Sequence, residues 1–333
     1  MARIVRVVLG TLAILLVAAG VMVLMRGTGG FSIYSNEAAS YREAPLPVEF
    51  VVCTYNVQGR PVLDDTKAKF PEIGQRLSPF DIVGLQECFV DDDLIFIHSD
   101  FPTMVYDGTL RSPFKLVGSG LANLGRFPVI EAIGMHYSSK GEFQNRPASK
   151  GILLTRHDIG GHTVDVYNTH MEAGGSDAAM EARRVQVKEL AAFVHENSPP
   201  AHSVIFVGDF NMSPLREHHL DAAREEGYDP PESGINFRLV GFQRMMDGLG
   251  EGFRDASDEI HGTPGPYSEK NQDAPWWRRR GREDIDRILF RAGEGVTLEP
   301  LEWEKHIEDF RADDGELLSD HDPISVRFRL EAS

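Results

Sequence analysis

Six short stretches of this 333-residue chain place reactive polar residues at or beside the ends of apolar runs. Asn56 follows Val51-Val52-Cys53-Thr54-Tyr55, and Glu87 follows Ile82-Val83-Gly84-Leu85-Gln86. His170 follows Val166-Tyr167-Asn168-Thr169, and Asp209 and Asn211 follow Val204-Ile205-Phe206-Val207-Gly208. Asp286 lies in Glu283-Asp284-Ile285-Asp286-Arg287-Ile288, and Asp320 and His321 in Leu318-Ser319-Asp320-His321-Asp322-Pro323. One polar residue at a strand end says little, because strands end at water. Together they supply carboxylates, amides and two imidazoles. Metal-assisted phosphoryl chemistry needs hard oxygen ligands for Mg²⁺, a base for water and donors for phosphate oxygens.

Strands must bring these residues together. Short apolar runs bounded by turn residues recur at Val48–Tyr55, Ile82–Leu85, Gly118–Ala122, Gly151–Leu154, Val164–Asn168, Val204–Val207, Ile285–Phe290 and Pro323–Leu330. Several alternate or are β-branched, as strands should be. Helical patterns are fewer: one over about 65–77, and a clearer one over about 177–196 with Ala182, Val185, Leu190, Phe193 and Val194 near one face. Strands outnumber helices, so packed sheets with helices outside are expected rather than a simple alternating doubly wound fold.

The blocks Thr54-Tyr55-Asn56-Val57-Gln58-Gly59, Leu85-Gln86-Glu87, Asn168-Thr169-His170-Met171, Gly208-Asp209-Phe210-Asn211, Ile285-Asp286-Arg287 and Ser319-Asp320-His321-Asp322-Pro323 resemble, in this order, those of the endonuclease/exonuclease/phosphatase superfamily. The resemblance covers roughly 48–330. It implies an α/β four-layer sandwich: two mostly antiparallel sheets packed face to face and flanked by helices. It also implies roles. Glu87 is the principal Mg²⁺ ligand, with Asn56 beside it and Asp320 near the metal. Asp209 aligns the attacking water and Asn211 binds phosphate. His321 is the general base, oriented by Asp286, and His170 donates to the phosphate oxygens. Mn²⁺ is expected to substitute for Mg²⁺. The reaction implied is in-line attack by water on phosphorus.

Within the superfamily, Gly118-Ser119-Gly120-Leu121-Ala122, Arg126-Phe127-Pro128-Val129 and Ser149-Lys150-Gly151 resemble neutral sphingomyelinases, although Gly125 stands where Ser is frequent. By that resemblance Lys150 contacts substrate phosphate, and Ser268-Glu269-Lys270-Asn271 brings Asn271 near the site. Each also has a plainer reading, a turn lysine and a loop asparagine. Trp276-Trp277-Arg278-Arg279-Arg280 reads either as a loop touching a bilayer or as a packed loop with a solvated charge run.

Composition narrows the substrate. With 41% hydrophobic and 26% charged residues the chain is globular rather than disordered. Its formal charge of −17 argues against tight binding to long nucleic acids. The leading expectation is therefore a phospholipase C acting on sphingomyelin or a related membrane phospholipid, as a monomer. The alternatives are an exported Mg²⁺-dependent nuclease of the same superfamily and a non-catalytic membrane-anchored binding protein on this scaffold.

Arg3 and Arg6 precede an uncharged run from Val7 to Met25, closed by Arg26. At helical rise this run spans about 28 Å, close to one hydrocarbon core. It reads as a transmembrane anchor over residues 1–26. A cleaved export signal is the alternative, with Val17-Ala18-Ala19 as the cleavage site. Either exports the remainder to a periplasmic or extracellular face. Residues 27–46, rich in Gly, Ser and Pro, read as a tether, and 47–333 as the catalytic domain. Cys53 and Cys88 read as buried apolar residues or as a disulfide.

Overall fold

A computed structural model describes residues 31–110, 115–139, 141–142, 147–212, 237–262, 285–312 and 314–333. Seven strands make one sheet and six the other. The first runs β1 (Phe31–Ser35), β4 (Thr103–Asp107), β5 (Leu121–Gly125), β3 (Ile82–Cys88), β2 (Val48–Gly59), β13 (Ile324–Ala332), β12 (Val296–Lys305). The second runs β10 (Arg254–Asp255), β11 (Asp286–Arg291), β9 (Ser203–Asp209), β8 (His162–His170), β7 (Gly151–Ile159), β6 (Val129–His136).

Period-two alternation decides which face of each strand is buried where. Val48, Phe50 and Val52 of β2, Ile82 of β3 and Ile324, Val326, Phe328 and Leu330 of β13 pack against Val164 and Val166 of β8, Ile205 and Val207 of β9, and Ile288 and Phe290 of β11. This is the core between the sheets. The alternate residues face outward. Cys53, Tyr55, Val83 and Leu85 pack under α1 (Thr66–Arg76) and α2 (Asp92–Ile97). Tyr167, Val204 and Phe206 pack under α3 (Asp177–Asn197) and α4 (Phe237–Leu249). The short α5 (Ala256–His261) follows β10. The four-layer α/β sandwich expected from the sequence is therefore the fold observed.

The sheets approach closely at Gly84. A Cβ there would lie 2.3 Å from Val207 Cγ2 and 3.2 Å from Asn168 Cγ, so any side chain would push the sheets apart. Among the described residues, β2 pairs parallel with β3 and β8 with β9, one parallel pair in each sheet; the other pairings are antiparallel. The crossovers run through α1 and α3. Both pairs run toward the same edge of the sandwich. The antiparallel neighbours β7, β11 and β13 begin at that edge.

Several expectations need correction. Residues 31–35, assigned to the tether, form β1, which pairs antiparallel with β4. Phe31-Ser32-Ile33-Tyr34-Ser35 alternates apolar and polar residues, a short edge-strand pattern hidden in a Gly- and Ser-rich stretch. Arg42 continues the attachment with an ion pair to Asp81, Nη1–Oδ1 2.8 Å. The apolar run around Gly118 becomes a strand only from Leu121. On α3 the buried face carries Arg183, Gln186 and Val187 rather than Val185.

The transmembrane helix is also corrected: among the described residues no helix is long and apolar enough to cross a membrane. The long α3 carries charges along its length and buries one face on the second sheet. The run Val7–Met25, on which the expectation rested, lies outside the described residues. Cys53 and Cys88 are free, buried thiols rather than a disulfide, and burial holds both well above the ordinary thiol range.

Candidate active site

The inter-sheet rows turn from apolar to polar toward one edge. In β2 the row is Val48, Phe50, Val52, Thr54, Asn56; in β8 it is Val164, Val166, Asn168, His170; in β9 it is Ile205, Val207, Asp209. In β11, which runs the other way, Asp286 comes first and Ile288 and Phe290 follow. Strand register sets His170 opposite Asp209 and Asp209 opposite Asp286. Lys150 immediately precedes β7, and His321 stands three residues before β13. The parallel strands thus deliver their last residues, and their antiparallel neighbours their first, to one cleft.

A buried polar clasp fixes the two sheets just behind it. Asn168 Nδ2 donates to Leu85 O (2.9 Å) and Ala122 O (3.0 Å), and its Oδ1 accepts from Gln86 Nε2 (2.8 Å). Gln86 Nε2 also donates to Gly84 O (3.0 Å). Sequence reasoning quoted both residues inside motifs but gave them no role. Their signal was polarity at positions whose period-two neighbours are core.

Backbone conformation aims three side chains. Gln58, Glu87 and Asn211 have φ of 50°, 55° and 51°, the left-handed region that costs residues other than glycine. Regular alternation would send Glu87 the way of Val83 and Leu85, into the layer under α1 and α2. The left-handed turn at the end of β3 directs it to the cleft instead.

In the cleft, His321 Nδ1 lies 2.6 Å from Asp286 Oδ2, and His321 Nε2 lies 3.9 Å from Asp209 Oδ2. Burial disfavours charge on His321. The carboxylates of Asp286, Asp209 and Asp320 outweigh that and hold its pKa well above the ordinary histidine range. Ser319 carries this loop: its Oγ donates to Asn56 O (2.6 Å) and accepts from His321 N (3.2 Å). Asp320 is exposed, and its N–H donates to Gln58 Oε1 (3.2 Å). Asp209 accepts from Asn56 Nδ2 (3.1 Å) and from Asn211 N (2.9 Å), so its carboxylate is held across the two sheets. Asn211 Nδ2 donates to Met171 O (3.1 Å).

Lys150 and His170 form the other wall. Lys150 Nζ lies 2.8 Å from His170 Nε2 and donates to Met171 O (2.8 Å). Burial lowers the Lys150 pKa, opposed by Glu172, Glu87 and Asp209. Burial, with the charges of Lys150 and His321 added, holds His170 well below the ordinary histidine range. Charge on His170 is thus disfavoured, and its Nε2 is placed to accept from Lys150 Nζ. Behind them Arg183 Nη1 donates to Glu172 O (2.6 Å), and Gln186 Oε1 accepts from Glu172 N (2.9 Å). These helix residues fix the turn after β8, and sequence reasoning missed them. Polar positions within an apolar helix face were the available signal.

The donor chemistry fits a hard divalent cation. Glu87 lies beside Asn56 through the β2/β3 pairing, with His170 Nε2 3.9 Å from its Oε1. Burial raises the Glu87 pKa, Lys150 opposes the shift and Asp209 adds to it. A desolvated carboxylate with further carboxylates nearby is stabilised by a cation. The ligand atoms of Asp209, Asp286 and His321 lie within 4.8 Å of one another. His321 and Asp286 of this group already share a hydrogen bond. Asn271 and the Trp276–Arg280 stretch lie outside the described residues. Asp92, from the acidic run after Glu87, is buried and accepts from Tyr34 Oη (2.6 Å), which is a structural use.

Sandwich and site together define a class of scaffold built for hydrolysing phosphoric esters at a divalent cation. The chain belongs to the Endonuclease/Exonuclease/phosphatase family, matched over residues 53–321. It is 29% identical over 297 residues to a sphingomyelinase of Mycobacterium tuberculosis, covering 85% of this chain and 53% of that protein. The chain thus spans about half the length of these curated relatives. Among solved structures it resembles beta toxin from Staphylococcus aureus (TM-score 0.57, 19% identity, 83% of this chain and 99% of that one). It also resembles D. rerio TDP2 in complex with single-strand DNA product (TM-score 0.56, 16% identity, 84% and 98%). At these identities the structural likenesses establish the fold.

Proposed function

We propose that this protein is a Mg²⁺-dependent phosphodiester hydrolase acting as a phospholipase C on sphingomyelin or a related phospholipid. The observation that carries the reading is His321 held between two carboxylates at the cleft, Nδ1 2.6 Å from Asp286 Oδ2 and Nε2 3.9 Å from Asp209 Oδ2. The sequence similarity to a sphingomyelinase and the acidic composition favour a lipid over DNA. Export of the catalytic unit rests on the N-terminal apolar run read in the sequence.

The separation of His321 Nε2 from Asp209 Oδ2, 3.9 Å, suits two groups holding one water. Two hydrogen bonds of about 2.8 Å meeting near a right angle span about 4 Å. Asp209 orients that water and His321 Nε2 takes its proton, while Asp286 holds Nδ1–H and supports the imidazolium that forms. Lys150 and the Asn211 amide face the negative charge that develops on the phosphate oxygens. Glu87 and Asn56, with Asp320 at the rim, would hold Mg²⁺. When bound it would polarise a phosphate oxygen and offset the carboxylate field that raises the His321 pKa.

The second reading is a nuclease, favoured by the shared fold with TDP2. The test is a product assay with sphingomyelin vesicles and with single-stranded and plasmid DNA, each with Mg²⁺. Release of phosphocholine without DNA cleavage supports the lipid reading. DNA cleavage without lipid cleavage replaces it with the nuclease. Neither activity, with the fold intact, favours a binding protein.

A further inference from the structure

Between β2 and α1 the chain makes a tight turn, Arg60-Pro61-Val62-Leu63-Asp64. Val62 is 86% exposed and Leu63 74%. Among the described residues they are the sole adjacent pair of large apolar side chains so exposed; the others are scattered. Isolated exposed apolar residues are ordinary, but an adjacent pair at a loop tip calls for a reason.

The turn is rigid. Leu63 N (3.3 Å) and Asp64 N (3.2 Å) both donate to Arg60 O. Asp64 Oδ2 accepts from Arg60 N (2.8 Å) and Nε (2.9 Å), and Oδ1 accepts from Arg60 Nη2 (3.0 Å). Asp65 then caps α1, accepting from Ala68 N (3.2 Å). Within this clamp Val62 has φ of 67°, a backbone conformation that a β-branched residue rarely adopts. The strain holds an aliphatic side chain out in water. Intramolecular packing gains nothing from it, and a strained residue with no packing use points to an external contact.

The location tells what that contact is. Arg60 follows the end of β2 four residues after Asn56, and Glu87 and Asp320 lie close enough to act on its guanidinium. The apolar tip therefore stands at the rim of the candidate active site. Lys67 is exposed in the first turn of α1, and Arg60 is partly exposed at the base of the tip. In a chain of charge −17, residues 60–67 carry two bases and two acids, with Arg60 paired to Asp64, so this apolar tip with no net charge meets a zwitterionic phospholipid surface without the charge the rest of the chain carries.

We propose that the Val62–Leu63 turn is an interfacial contact that enters the surface of a phospholipid bilayer and sets the cleft against it. This rests on the lipid reading of the site, and the test separates the two. Cys53 and Cys88 are fully buried, so a cysteine placed at Leu63 can be labelled selectively in the full chain. Leu63→Cys carrying an environment-sensitive nitrobenzoxadiazole dye should brighten and shift to the blue on adding phosphatidylcholine–sphingomyelin vesicles. The same dye at Glu299→Cys, on the exposed part of β12, should not respond. The readout is local, so attachment elsewhere in the chain does not imitate it.

Val62→Ser with Leu63→Ser should cut hydrolysis of vesicle sphingomyelin by ~10-fold or more. It should leave turnover of soluble bis(4-nitrophenyl) phosphate unchanged. A dye at 63 that stays in water while vesicle sphingomyelin is cut would overturn the contact. So would an equal loss on both substrates, which would make the turn a support of the catalytic groups. A dye that enters the bilayer while sphingomyelin remains intact upholds the contact and removes the substrate assignment.

Discussion

Asp286 Oδ2 and His321 Nδ1 meet at 2.6 Å although they belong to different sheets. Asp286 opens β11 of one sheet; His321 precedes β13 of the other. In the proposed mechanism the pair serves as a proton relay across the sandwich. Asp286→Asn keeps the size of the side chain and removes the charge that supports an imidazolium. Turnover should fall by ~10²–10⁴-fold, with the circular dichroism spectrum and Tm little changed. Turnover within about threefold of the parent enzyme would remove the pair from the mechanism.

In the proposed mechanism Lys150 supplies a buried positive charge to the phosphate. Lys150→Met fills similar volume without charge and should lower kcat by ~10²–10³-fold with a smaller effect on KM, because the charge acts on the transition state. Steady-state kinetics on a soluble phosphodiester make the measurement. A change in KM alone would assign Lys150 to ground-state binding.

Chelation should abolish activity, and Mg²⁺ or Mn²⁺ should restore it. Glu87→Gln should raise the half-saturating Mg²⁺ concentration by at least ~10-fold, the scale seen even for groups one shell out from a metal. Burial raises the Glu87 pKa, so protons compete with the cation at a pH above the ordinary glutamate range. Mg²⁺ affinity should weaken on acidification from that higher pH, and Glu87→Gln should lose this dependence. Titrations of Mg²⁺ at several pH values decide it. An unchanged Mg²⁺ requirement in the variant would take Glu87 out of the site.

His157 is fully buried, with Nε2 3.0 Å from Thr155 Oγ1, and burial lowers its pKa from 6.5 to about 4. Folded protein keeps it neutral where unfolded chain binds a proton. Its contribution is present above about pH 6.5, is lost as pH falls toward 4 and changes no further below that. The span is about 3 kcal/mol. Urea unfolding at pH 7 and pH 4.5 should show this loss, and His157→Gln should show a shallower fall between the same two pH values. Equal slopes would place the acid sensitivity elsewhere.

Much of this arrangement was legible in the sequence because one periodicity encodes it. Rows such as Val48, Phe50, Val52, Thr54, Asn56 announce both the buried face and the polar end. The motif blocks supplied the order in which those ends meet. The edge strand β1 was not legible, since five residues in a Gly- and Ser-rich setting carry too little pattern. Nor was the turn of Glu87 into the cleft, because it depends on a backbone angle that residue type does not encode. The contact of Lys150 with His170 joins the start of β7 to the end of β8, and only the antiparallel register of those strands brings them together. The transmembrane expectation came from the uncharged run Val7–Met25, outside the described residues, and no described helix is long and apolar enough to cross a membrane.

The Asn168–Gln86 clasp ties chemistry to the alignment of two separate hydrogen-bonded ladders. If one ladder slid past the other by a single pleat, each would keep its internal bonds while the relay came apart. Mild denaturation should therefore silence the protein before its strands melt, and loss of turnover would act as a ruler for sub-nanometre slippage inside an otherwise intact body.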